Sequence, residues 1–206
     1  MRLGILVSGR GSNLEAVLDA IAAGRLPSIE AALVIANRAG IRALEVAARR
    51  GVPWRVLTLD DFSDADARDR AIGGALTDAG CDLALLAGYD RLLRAPYFAS
   101  FAGRTINIHP SLLPRHGGTG MVGLAVHAAV LAAGEVETGV TIHDVTPALD
   151  EGAALLQRRV PVLPGDSAAA LAARVLEVEH QALVEVLAEL SGSMTAGSPA
   201  PIRARQ

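Results

Sequence analysis

Arg2-Leu3-Gly4-Ile5-Leu6-Val7 runs directly into Ser8-Gly9-Arg10-Gly11-Ser12-Asn13, and Leu14, Val17, Leu18 and Ile21 then follow at helical spacing. An apolar run without polar alternation reads as a strand covered on both faces. The glycines read as a turn, and Ser12 or Asn13 as a helix cap. The same unit recurs along the chain. Ala31 to Ile35 is a second buried strand and Ile41 to Arg50 its helix; Val52 to Leu59 is a third strand. Asp64 to Ala79 reads as a helix, Leu83 to Leu86 as a fourth strand, and Thr105 to Ile108 as a short strand ending at His109-Pro110. Later, Gly139 to Val145 and Ala154 to Val162 flank a turn at Pro147 to Gly152, before a helix from Asp166-Ser167 to about Leu190. This order predicts an α/β fold: a doubly wound, mostly parallel sheet with helices on both faces and an antiparallel C-terminal edge. In such sheets ligands bind beyond the carboxyl ends of the strands.

The 206 residues suit one domain, expected over residues 1–190, with residues 191–206 as a flexible tail rich in Ser, Gly, Pro and Ala. A core of this size buries roughly 70% of the extended-chain surface. The formal net charge of −3 offers no broad basic field for nucleic acid. All 19 basic residues are arginine, which rules out lysine Schiff-base chemistry and a Walker-type phosphate loop. Cys81 is the sole cysteine, so it reads as packing rather than as part of a metal cluster. The short N-terminal apolar run matches neither a signal peptide nor a membrane span, which predicts a cytoplasmic protein acting on small molecules.

Three segments carry candidate chemistry. In the loop Ser8 to Asn13, free N–H groups at a helix start attract an anion, although a tight turn alone also explains the glycines. Leu14 stands where a dinucleotide fingerprint has its third glycine, which argues against NAD. In Asn107-Ile108-His109-Pro110-Ser111-Leu112-Leu113-Pro114, strand alternation puts Asn107 and His109 on one face at a carboxyl strand end. An amide donor beside an imidazole suits stabilisation of an oxyanion in acyl transfer, or the histidine satisfies buried polar groups. In Asp150-Glu151-Gly152, a carboxylate beside His109 would favour imidazolium and orient the ring, or the segment is only a turn. His116, His127, His143 and His180 show no i, i+4 zinc spacing, so solvated or packed roles are expected for them.

Together these segments resemble the phosphoribosylglycinamide formyltransferase family, over about residues 1–190. The likeness rests on Val7 to Leu14, Leu86-Ala87-Gly88-Tyr89, Asn107 through Pro114, Leu149 to Gly152, Val160-Pro161-Val162 and Gly165-Asp166-Ser167. It implies transfer of a formyl group from 10-formyltetrahydrofolate, as co-substrate and without a metal, to the amine of phosphoribosylglycinamide. It also implies a catalytic set of Asn107, His109 and Asp150, with His109 as proton donor. Gly11, Ser12 and Asn13 would hold the substrate phosphate, and Glu179 the glycinamide end. Folate would lie at Asp90, Arg91, Leu92, Leu93 and Asn107, with the turn at Pro147 to Gly152. A homodimer is a possible assembly.

Three departures from the family pattern stand out. Asp90 replaces an apolar residue, and Asp64-Ala65 stands where an arginine is common, leaving Arg68 as a candidate substitute. The segment Arg115 to Met121 is longer and richer in glycine than usual, and Gly117, Gly118 and Gly120 predict that residues 115–123 are mobile without ligands and order over the site. Formyltetrahydrofolate hydrolases and methionyl-tRNA formyltransferases share the Asn-to-Pro block but add a further domain. A sugar-nucleotide formyltransferase and a non-catalytic nucleotide-binding module are the remaining alternatives.

Overall fold

A computed structural model describes residues 1–195, with side chains through residue 192. The chain forms β1 (Arg2–Val7), α1 (Ser12–Ala22), β2 (Glu30–Ala36), α2 (Arg42–Arg49), β3 (Trp54–Val56), a 3-10 turn (Leu59–Asp61), α3 (Ala65–Asp78), β4 (Leu83–Leu86) and α4 (Ala95–Ser100). It continues with β5 (Arg104–His109), α5 (Leu124–Ala132), β6 (Glu137–Asp144), β7 (Ala154–Pro161) and α6 (Ala168–Thr195). The strand order is β3-β2-β1-β4-β5-β6-β7. Parallel ladders join β1 to β2 and β4, and β2 to β3, whereas β6 and β7 run antiparallel. The doubly wound, mostly parallel sheet with its antiparallel C-terminal edge is therefore present.

The chain divides into two compact units, one ending at Ile106 and one beginning at Asn107. In the first, Ile5, Leu6 and Val7 of β1, Val34 and Ile35 of β2 and Leu85 of β4 are fully buried. Each such side chain contributes roughly 1.5–3 kcal/mol of transfer free energy. Helix α3 lies so close to β1 that a Cβ on Gly4 would come within 2.2 Å of Leu76. In the second unit, α6 buries Leu171, Val175, Leu183, Val186 and Leu187, and the hairpin buries Val140, Ile142 and Val160. The helical period of those α6 residues is the reason the helix forms there.

Several boundaries differ from expectation. Strand β3 spans three residues, not eight, because Thr58 and Asp61 form a reciprocal cap that turns the chain out of the sheet. Helix α4, with a proline in its first turn, has too few residues to show a period. Helix α6 continues past Leu190 to Thr195, and the rest of the expected tail lies outside the described residues.

Candidate active site

In the first unit, β1 delivers Ser8 and the loop after it to the start of α1. Gly11 has φ 77°, and a Cβ there would fall 2.7 Å from the Ala43 Cβ, so this position takes glycine on both conformational and steric grounds. Loop carbonyls face α2: Ala43 N donates to Gly9 O at 3.2 Å, and Arg42 Nη1 to Arg10 O at 3.2 Å. No side chain caps α1, so its first N–H groups have no partner within the helix. Asn13 is buried, and its Oδ1 has no hydrogen-bond partner. Gly11, Ser12 and Asn13 thus share one helix start that offers donors to an anion.

The other first-unit residues singled out by sequence sit in a polar network. Asp90 N donates to Ser8 Oγ at 3.0 Å, Asn37 Nδ2 donates to Asp90 Oδ1 at 2.7 Å, and Arg38 closes a short ion pair with the same carboxylate. Burial works to raise the Asp90 pKa, but the bonds from Asn37 and Arg38 outweigh it and leave it lowered. The carboxylate at Asp90 therefore fastens the segments after β1, β2 and β4 together. Arg91 and Leu92 are exposed, and Leu93 is buried. Arg68 is not available to replace a surface arginine. It is buried against Asp69, donating through Nε at 3.0 Å and Nη2 at 2.5 Å, while Asp69 Oδ2 accepts from Arg94 N at 2.8 Å. Cys81 packs against the sheet, and burial pushes its thiol up to about 11.

In the second unit, β5 ends with Asn107 and His109, on alternate positions as expected, while Ile108 is buried. His109 is 5% exposed, and its Nε2 lies 2.8 Å from the carbonyl of His116. A carbonyl only accepts, so Nε2 carries the proton. Asp150 Oδ2 accepts from Gly118 N at 2.8 Å, and Oδ1 lies 3.7 Å from His143 Nε2. Asp150, the carboxylate expected beside His109, is thus directed at Gly118 and His143. The glycine-rich segment touches two of the three expected catalytic side chains, His109 and Asp150, through its backbone. His116 and Asp150 are the non-glycine residues with positive φ among the described residues, at 55° and 56°. Such geometry is sparsely populated and concentrates at functional sites.

The segment after His109 is braced from the hairpin. Thr141 Oγ1 donates to Ser111 O at 2.7 Å and accepts from Leu113 N at 3.0 Å, and Gln157 Nε2 donates to Leu113 O at 2.9 Å. Ser111 is fully buried and donates to Arg115 O, which makes it a structural hydroxyl rather than a nucleophile. A Cβ on Gly152 would lie 1.7 Å from Asp144 O, so only glycine fits where the turn closes.

His143, expected from sequence in a packed or solvated role, is buried, and its partners lie beyond what sequence reading could name. Its Nε2 lies 3.0 Å from Asn107 Nδ2, and Nδ1 lies 2.9 Å from Asp144 O. Alternation along β6 with Thr141 was the available signal. Burial lowers the pKa of His143, with opposing contributions from Asp144 O and the Asp150 charge. His127 on α5 is also lowered, by burial and then by His109. Glu179 is buried on α6. Among the described residues, no three His, Cys, Asp or Glu side chains converge as a metal site.

The chain belongs to the formyl transferase family, whose model matches residues 1–187. It is similar to the phosphoribosylglycinamide formyltransferase of Haemophilus influenzae, with 38% identity over 180 residues, 87% of this chain and 82% of the relative. It is 41% identical over 191 residues to the trifunctional purine biosynthetic protein adenosine-3 of Drosophila pseudoobscura pseudoobscura, covering 92% of this chain but 14% of that protein. The crystal structure of glycinamide ribonucleotide transformylase 1 from Symbiobacterium toebii superposes with a TM-score of 0.88 at 39% identity, over 94% of this chain and 88% of that one.

Proposed function

We propose that this chain transfers the formyl group of 10-formyltetrahydrofolate to the amine of phosphoribosylglycinamide, with Asn107, His109 and Asp150 as catalytic residues. One observation carries the reading. Within the second unit of a formyl transferase, the segment 116–118 engages the proton-bearing Nε2 of His109 and the carboxylate of Asp150, while Asn107 is held by a buried ring.

The amine nitrogen attacks the formyl carbon, and the carbonyl electron pair moves onto the formyl oxygen. An N–H of the Asn107 amide donates to that oxygen as charge develops. When the carbonyl re-forms, the bond from carbon to the folate nitrogen breaks, and that nitrogen takes the proton of His109. The amine surrenders one proton, which restores His109, so the products are the formamide and tetrahydrofolate. Gly11, Ser12 and Asn13 hold the phosphate of the acceptor, since backbone donors at a helix start suit that group. Glu179 takes the glycinamide end. Folate lies against the chain at Arg91, Leu92 and Leu93, with Asp90 as the brace for that segment, and Asn107 contacts its formyl group. Residues 1–190 form the catalytic domain. No described helix is long and apolar enough to cross a membrane, and the reading places the chain in the cytoplasm, as a monomer or homodimer.

Donor consumption followed spectroscopically, with and without phosphoribosylglycinamide, tests the activity. The expected result is tetrahydrofolate release only when the acceptor is present. Release without acceptor would make the chain a hydrolase, and release with a sugar-nucleotide amine alone would reassign the acceptor.

A further inference from the structure

His143 is 2% exposed, and the reading above gives it no catalytic or binding role of its own. Its Nδ1 faces the carbonyl oxygen of Asp144 at 2.9 Å. That oxygen has no proton to give, so Nδ1 must carry one. In the neutral ring Nε2 is then a lone-pair acceptor. The atom facing it at 3.0 Å is Asn107 Nδ2, which can only donate. The two contacts form a one-way chain from amide to ring to backbone carbonyl.

The rest of the surroundings bears on the ring's charge. Asp150 Oδ1 stands 3.7 Å from Nε2, and His109 and Asp144 are the other titratable groups whose charge acts on the ring. A proton on Nε2 would face Asp150 and present a donor to the Asn107 Nδ2, breaking the contact. Removal from water opposes that charge, so the neutral ring is the state that grips the amide.

We propose that His143 is a positioning residue: held in its Nδ1-protonated form by the carbonyl of Asp144, it fixes which end of the Asn107 carboxamide faces inward and aims the remaining N–H at the reacting carbonyl. An amide can rotate by half a turn with little change in shape. A flipped Asn107 would present oxygen in place of that N–H, and an oxygen repels a developing oxyanion. The buried ring removes the flipped state, since its lone pair would then face the amide oxygen. This assignment rests on the formyl-transfer reading, and its test separates the two.

Imidazole nitrogen NMR on the free wild-type protein reads the tautomer without any reaction. The expected signature for His143 is a protonated Nδ1 and a bare Nε2; the opposite tautomer overturns the assignment. His143→Leu removes the acceptor, and turnover should fall about 10–100-fold, the scale of a misplaced reacting group. The acceptor KM should change by about twofold at most, because the phosphate-binding donors are in the first unit. His143→Gln, whose Oε1 can accept from Asn107, should recover most of the lost turnover. On an Asn107→Ala background, His143→Leu should cost nothing further. An equal loss on both backgrounds would show a general structural role and overturn the proposal. Wild-type turnover measured alongside reports on the activity itself, independently of the tautomer.

Discussion

The backbone N–H of Gly118 donates to the carboxylate of Asp150 at 2.8 Å, which ties a glycine-rich segment to a turn at the far end of the β6–β7 hairpin. Glycines alone would leave this segment free to move. The bond to a charged acceptor opposes that freedom and is worth roughly 1.5–3 kcal/mol. Asp150→Ala should therefore raise the hydrogen-exchange rate of the Gly118 amide about 10–100-fold. Exchange as slow in the variant as in the wild type would show that other contacts hold the segment.

His109 carries the proton of the proposed transfer. Its replacement by alanine should lower turnover about 10²–10⁴-fold, the usual consequence of losing a general acid. Acceptor affinity, measured by calorimetry, should hold, because the proposed phosphate donors belong to the start of α1. Near-normal turnover in His109→Ala would remove the histidine from the mechanism.

Arg68 and Asp69 form a buried pair, with 5% and 0% of their side chains exposed. Removing one partner strands a charge in a dry setting. Asp69→Ala should cost about 3–5 kcal/mol in urea denaturation, and Arg68→Leu combined with Asp69→Ala should cost less than Asp69→Ala alone. The carboxylate also holds the Arg94 N–H, so Asp69→Ala should loosen donor binding more than acceptor binding.

His127 and His143 both have pKa values lowered from 6.5 by burial. The unfolded chain then binds more protons than the folded one at mildly acid pH, so stability is complete above about 6.5 and declines as pH falls through the lowered values. His127 Nδ1 has no hydrogen-bond partner, which makes it the better probe. Urea denaturation from pH 7.5 to 5 should show falling stability, and His127→Leu should flatten part of that slope. An unchanged slope would place the proton uptake elsewhere.

The parallel strands were legible because β1, β2 and β4 are apolar on both faces, and that pattern has few other readings. The three-residue β3 was not, since its end is fixed by the Thr58–Asp61 cap. At the site, Asn107 and His109 could be paired from strand alternation, and Gly11 placed from its turn. The partners of Asp150 could not be read from sequence. They depend on how the chain folds back between residues 116 and 118, where the contacts are made by a carbonyl and an N–H that every residue type carries. The partners of the Asp90 carboxylate were hidden for a related reason, since Arg38 and Asn37 lie far off in sequence.

The ring of His143, the ring of His109 and the carboxylate of Asp150 are each held by a main-chain atom, from Asp144, His116 and Gly118 respectively. A carbonyl oxygen or an amide hydrogen survives substitution of the residue that bears it. Drift in the side chains at positions 144 and 116 consequently leaves the grip on the reactive groups intact for as long as the backbone path is kept. The chemistry of this chain is insulated from much of its own sequence, and what selection must preserve around those three groups is the course of the backbone.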